Sequence, residues 1–165
     1  MEARILSLTD NWVRVRWRID GPQKLVLPQF AGRGRADELW KTTCFELFMM
    51  EKDGTPAYSE FNLSPSERWA AYDFSSYREG MTQRDFSREP DCSMRTGQAM
   101  AIFDAALPRA QMPEPPCAIG LAAVIEEMGE NGPVKSYWAI SHHKDEPDFH
   151  DPACFQGSLA RTRAA

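Results

Sequence analysis

The stretch Val13-Arg14-Val15-Arg16-Trp17-Arg18-Ile19 places an apolar residue at every odd position and an arginine at every even one. Successive side chains of a β-strand point to opposite faces, so the stretch predicts a strand with one face in a core and the other in water. Asp20-Gly21-Pro22 ends the pattern, and Leu25 to Leu27 is expected to pair back on it as a short strand before Pro28. The Gly- and Arg-rich run from Ala31 to Glu38 has no apolar periodicity and reads as a surface connection.

Farther along, Cys44 to Met50 and Ala57 to Leu63 flank Lys52-Asp53-Gly54-Thr55, and Asp-Gly between apolar runs is a hairpin signal. Ser64-Pro65-Ser66 turns the chain into Trp69 to Phe74, which makes three antiparallel strands in sequence. Tyr77 to Thr96 is polar and irregular, with a short strand expected around Ser93. Gly97 marks a turn before Ala99 to Leu107, and the proline-rich run from Pro108 to Pro116 is a loop. Cys117 to Glu126 and Val134 to Ser141 are joined through Asn131-Gly132, a second hairpin signal. Asp151 followed by Pro152 suits the cap and first position of one short C-terminal helix. Ala99 to Leu107 and Ile119 to Glu127 are rich in alanine and could locally be helical, but the closing hairpin assigns the second to strand. About nine or ten short strands punctuated by turns predict an all-β fold, an antiparallel β-sandwich.

A chain of 165 residues with 42% hydrophobic and 26% charged residues is expected to be a single domain over residues 1–165. The formal net charge of -5 provides no general field for phosphate backbones and argues against nucleic acid. Ser7, Thr9, Asp10 and Asn11 interrupt any signal-peptide core, so a cytoplasmic location is expected. The apolar run Ile119 to Ile125 is far below the ~20 residues of a membrane span. Cys44, Cys92, Cys117 and Cys154 are scattered and lack a Cys-x-x-Cys pair, which predicts free, mostly buried thiols. With no nucleophile elbow, Walker loop or His-Glu-x-x-His pattern, no enzymatic activity is expected.

Acids and amides inside strands call for explanation. Glu46 stands between Phe45 and Leu47, while Tyr58, Glu60 and Asn62 share a strand face by their spacing of two. If the two segments are hairpin partners, Glu46 lies near Glu60 and Asn62. Two readings fit: a solvated outer face, or a site where carboxylates and an amide meet the hydroxyls of a sugar while aromatic rings cover its apolar side. Trp17 and Trp138 lie mid-strand and are assigned to the core, leaving Trp40 and Trp69 as stacking platforms. Glu46, Glu60, Asp148 and His150 have no compact metal-ligand spacing, so neither metal nor cofactor is expected.

The runs Leu39-Trp40-Lys41-Thr42-Thr43-Cys44-Phe45-Glu46-Leu47-Phe48 and Tyr58-Ser59-Glu60-Phe61-Asn62-Leu63-Ser64-Pro65-Ser66 resemble bacterial DOMON-like domain proteins. The resemblance continues through Trp69 to Met81, then Tyr137 to His142 and Pro147-Asp148-Phe149-His150. This group is related in fold to family-9 carbohydrate-binding modules. The resemblance implies a jelly-roll-like or immunoglobulin-like sandwich with a ligand site on one sheet or at its rim. Trp40 preceding Glu46 is similar to the aromatic and acid that open the binding strand of the carbohydrate-binding relatives, with Asn62 and Arg78 as further polar members. Thr43-Cys44 stands where relatives often carry an acidic pair, which departs from a calcium-linked version. The expectation is a non-catalytic domain that binds a carbohydrate or similar polyol. Its site is expected to comprise Trp40, Glu46, Glu60, Asn62, Trp69 and Arg78, with Asp148 or His150 as a wall. Arg78 paired with Glu46 is a purely structural alternative. A haem-binding domain and a ligand-free protein-interaction module are the rival functions.

Overall fold

The alternating stretch forms the strand that its period requires. In the computed structural model, which describes residues 1–160, Val13, Val15, Trp17 and Ile19 are buried and Arg14 is exposed. In chain order the strands are β1 (Glu2–Leu8), β2 (Trp12–Asp20), β3 (Leu25–Val26), β4 (Gly34–Arg35), β5 (Cys44–Glu51), β6 (Tyr58–Leu63) and β7 (Arg68–Phe74). They continue as β8 (Thr82–Gln83), β9 (Asp91–Thr96), β10 (Met100–Pro108), β11 (Cys117–Gly129), β12 (Gly132–Ala139) and β13 (Gly157–Leu159).

One sheet has the order β1-β2-β10-β9 and the other β12-β11-β5-β6-β7-β4, with β13 and β3 also on β11 and β8 on β7. Every pairing is antiparallel except that of β4 with β7. The two sheets share a core: Trp17 of β2 lies 5.5 Å from Phe45 of β5, and Phe45 stacks on Phe103 of β10 at 4.2 Å. Such centroid separations are those of attractive ring pairs, and each ring removes a large apolar area from water. The protein is therefore an antiparallel β-sandwich.

The wider sheet is buried on its outer face as well. Phe48, Tyr58, Tyr72, Phe74, Ala122 and Val124 form a second cluster there with Phe149, Cys154 and Phe155 of the C-terminal segment. All six residues of β6 are consequently buried. Gly120 permits this covering, because a Cβ at that position would lie 2.8 Å from the Phe155 ring. The Asp53-Gly54 signal falls in the β5–β6 connection, and at the second hairpin Asn131 lies in the turn while Gly132, at φ +119, opens β12.

Two expectations about these elements need correction. Leu25–Val26 pairs with Glu126 and Glu127 of β11 rather than with β2, closing the end of the wider sheet. The short C-terminal helix forms where Asp151-Pro152 places it, as the three-residue 3-10 turn Pro152–Cys154, capped by Asp151 accepting from the Ala153 amide at 2.9 Å. Packing of Cys154 and Phe155 on the sheet draws the chain away before an α-helix can extend. Trp138 is 43% exposed rather than in the core, because β12 is an edge strand. All four cysteines are free and buried.

Candidate functional site

Phe45 and Leu47 point into the sandwich, so Glu46 between them must point outward. The register sets Glu46 opposite Asn62 on β6 and Ala122 on β11, and Asn62 opposite Ala70 on β7. In the next row Glu60 lies between Phe48 and Tyr72. Three polar side chains thus form a floor flanked by two alanines. The solvated-face reading does not survive: Glu46 is 3%, Asn62 1% and Glu60 6% exposed.

Asn62 Nδ2 donates to Glu60 Oε1 at 2.8 Å, while Asn62 Oδ1 is buried with no partner among the described residues. Among the described residues none hydrogen-bonds the Glu46 carboxyl. Burial, reinforced by the charge of Glu60, holds the Glu46 carboxyl well above the usual carboxylate range. Burial pushes Glu60 up to about 7, against the opposing effects of the Asn62 hydrogen bond and the Arg78 charge. Near neutral pH the pair therefore carries at most one negative charge, on Glu60, where a donor and a cation favour it. Protonated Glu46 offers a donor, and Glu60 and Asn62 Oδ1 offer acceptors.

His150 closes one side of this floor. Its ring stands edge-on to Phe48, Tyr58 and Phe74 at centroid distances of 5.3, 5.8 and 5.1 Å. The Arg78 amide donates to Tyr58 Oη at 3.2 Å, and Tyr58 Oη lies 2.8 Å from His150 Nδ1. Tyr58 Oη thus links the Arg78 amide to His150 Nδ1, while His150 Nε2 lies 3.6 Å from Glu60 Oε2. Burial, and then the positive charge of Arg78, lower the His150 pKa to about 4, so the ring is neutral at physiological pH.

The C-terminal segment is clamped next to this chain of groups. Asp148 accepts from Lys144 Nζ at 2.6 Å, from Arg78 Nη2 at 2.9 Å, and from the Tyr77 hydroxyl. Burial would raise the Asp148 pKa, but these three donors outweigh it and hold the carboxyl well below its usual range.

Of the residues singled out from the sequence, Glu46, Glu60, Asn62 and His150 come together. Arg78 and Asp148 pair with each other at the side, so the alternative Arg78–Glu46 pair does not form. Trp40 lies in a 3-10 turn, Leu39–Lys41, against β5, β6 and β7; Leu39 packs on the outer-face cluster and Trp40 is 50% exposed. Trp69 is no platform: it lies in the inter-sheet core, edge-on to Phe86 at 5.2 Å, because Ala70, Tyr72 and Phe74 take the outward positions of β7. The β7 aromatic directly beside Glu60 on the site face is Tyr72, which sequence reasoning missed. Its phenol donates to Asp37, and the Arg35 guanidinium lies 5.3 Å from its ring centroid. Among the described residues, no group of three or more His, Cys, Asp or Glu side chains is arranged to hold a metal ion.

No family model and no curated protein matches the chain. Among solved structures, the chain is similar to a Bacteroides uniformis protein described as a "putative carbohydrate-binding protein", with a TM-score of 0.51 and 13% identity. The match covers 87% of this chain and 71% of that one. At this identity the likeness shows a shared β-sandwich fold.

Proposed function

We propose that the protein is a non-catalytic binding domain whose wider sheet takes a carbohydrate or similar polyol over Glu46, Glu60 and Asn62. The observation that carries this reading is the buried Asn62 Oδ1, without a partner among the described residues, beside two buried carboxyls. A buried polar atom without a partner costs about 1–3 kcal/mol, a cost that ligand hydroxyls would offset. Neutral Glu46 as donor and Glu60 with Asn62 as acceptors match the mixed donor and acceptor character of a polyol. The resemblance of residues 39–81 to DOMON-like and family-9 carbohydrate-binding proteins supports the reading, as does the description of the Bacteroides neighbour. This reading takes Trp40, half exposed on the Leu39–Lys41 turn against β5, β6 and β7, as the stacking platform. Both acids rise side by side from one sheet, whereas glycoside hydrolysis uses carboxyls on either side of the scissile bond.

A panel of neutral glycans screened by calorimetry tests the reading, with Trp40→Ala and Asn62→Ala checked for native-like unfolding. We expect one or more glycans to bind the wild type and each substitution to weaken binding by about tenfold or more. Absence of any binder, or unchanged affinity in both folded variants, refutes it. A protein-interaction module is the second reading, favoured by Val134, Tyr137, Trp138 and Ile140, all exposed along or just beyond edge strand β12.

A further inference from the structure

On the outer face of the four-stranded sheet, the arginines of β2 have different surroundings. Arg16 faces Asp104 across the register and holds it through two bonds, at 2.7 and 2.9 Å, with Arg95 reaching the same carboxylate at 2.6 Å. Arg18 pairs with Asp20 at 2.7 Å. Arg14 is the exception. Its cross-strand neighbours are Ser7 and Ala106, and it has no ion pair or side-chain hydrogen bond among the described residues. Asp91, the next residue along that row, is already held by Arg33 at 2.9 Å.

The small side chain of Ala106 leaves a cleft of about 430 Å³ lined also by Trp12, Arg14, Arg33, Arg88, Glu89 and Asp91. Arg88 also has no acidic partner among the described residues, and its guanidinium stands 4.2 Å from the Trp12 ring centroid. Stacking on an indole fixes the plane of a guanidinium while leaving its N–H fork free for an oxyanion. Three arginines against two acids leave the cleft positive, in a chain whose formal net charge is -5.

We infer that this cleft binds the carboxylate or phosphate of a small organic ligand between Arg14 and Arg88. Both oxyanions suit the guanidinium fork. The volume falls within the range of small-molecule sites, leaving room for an organic body beside the charged group. Glu89, with no basic partner among the described residues, accepts a hydroxyl of that body and disfavours a bare multivalent anion. The cleft lies on the opposite sheet from the Glu46 site, so the two proposals stand or fall separately.

The test is an amide and indole NMR titration at low salt with glucose 6-phosphate, glucuronate, inorganic phosphate and uncharged glucose. Glucose 6-phosphate or glucuronate should saturate and shift the Trp12 indole, more tightly than inorganic phosphate, and which of the two binds identifies the oxyanion. Glucose should leave the Trp12 indole unmoved. Arg14→Ala and Arg88→Ala should each weaken binding by about tenfold or more, and Arg18→Ala by less than about twofold. Arg14 is exposed and unpaired, so its variant folds as the wild type does. The inference is overturned if neither organic anion saturates by on the order of 10 mM, or if Arg14→Ala binds like the wild type. Equal weakening by Arg18→Ala also overturns it, since that is the mark of diffuse attraction rather than a site.

Discussion

Glu60→Gln should make the protein more stable at neutral and alkaline pH while leaving acid stability almost unchanged. Glutamine keeps an oxygen to accept the Asn62 amide, now 2.8 Å from Glu60 Oε1, and cannot ionise. Burial moves the Glu60 carboxyl from an ordinary 4.5 to about 7. Below 4.5 the folded and unfolded chains both hold the proton, so ionisation imposes no penalty. As pH rises the unfolded chain releases its proton while the folded protein retains it, and stability falls until pH passes the folded value near 7. At ~1.36 kcal/mol per pH unit, this loss amounts to about 3 kcal/mol in the wild type and is missing from the variant. Freeing Glu46 from the charge of Glu60 acts in the same direction. Urea unfolding followed by tryptophan fluorescence over about pH 4 to 8 gives the difference between the two proteins directly. It should grow from near zero at the acid end to about 3 kcal/mol in favour of the variant at the alkaline end. A difference independent of pH, or one that favours the wild type as pH rises, would refute the placement of Glu60 in a water-poor site.

Gly120→Ala should lower stability by about 1–3 kcal/mol, since its Cβ would meet the Phe155 ring at 2.8 Å and must push the C-terminal segment off the sheet; an unchanged melting temperature would show that this contact does not seat the segment. His150 should remain neutral through about pH 6 and titrate by NMR near 4. Its lowered value means that its share of stability is present above about pH 6.5 and lost as pH falls through 4, and an imidazole titrating near 6.5 would place the ring outside its aromatic box.

The strand parity of this protein is a local property, written in two-residue alternation and in turn residues. Arg14 to Arg18 identify β2 and its two faces, and Asp53-Gly54 and Asn131-Gly132 mark the turns of two hairpins. The proximity of Glu46 to Glu60 and Asn62 followed from the same logic, because hairpin partners on a short turn have little freedom of register. Parity cannot reveal what lies over a face. That His150 abuts Glu60 and Tyr58, and that Arg78 meets Asp148, depends on the C-terminal segment docking on residues some seventy to ninety positions earlier in the chain, and the burial of Glu46 and Asn62 is likewise a matter of tertiary packing. Trp69 and Trp138 depart from their expected places for related reasons. A single-residue step in β7 turned one ring into the core, and an edge position left the other exposed. Period-two chemistry by itself determined which side chains share a face. The packing of distant segments decided which face is buried, and with it the chemistry of the acids, because the cost of a charge depends on water that only the folded chain excludes.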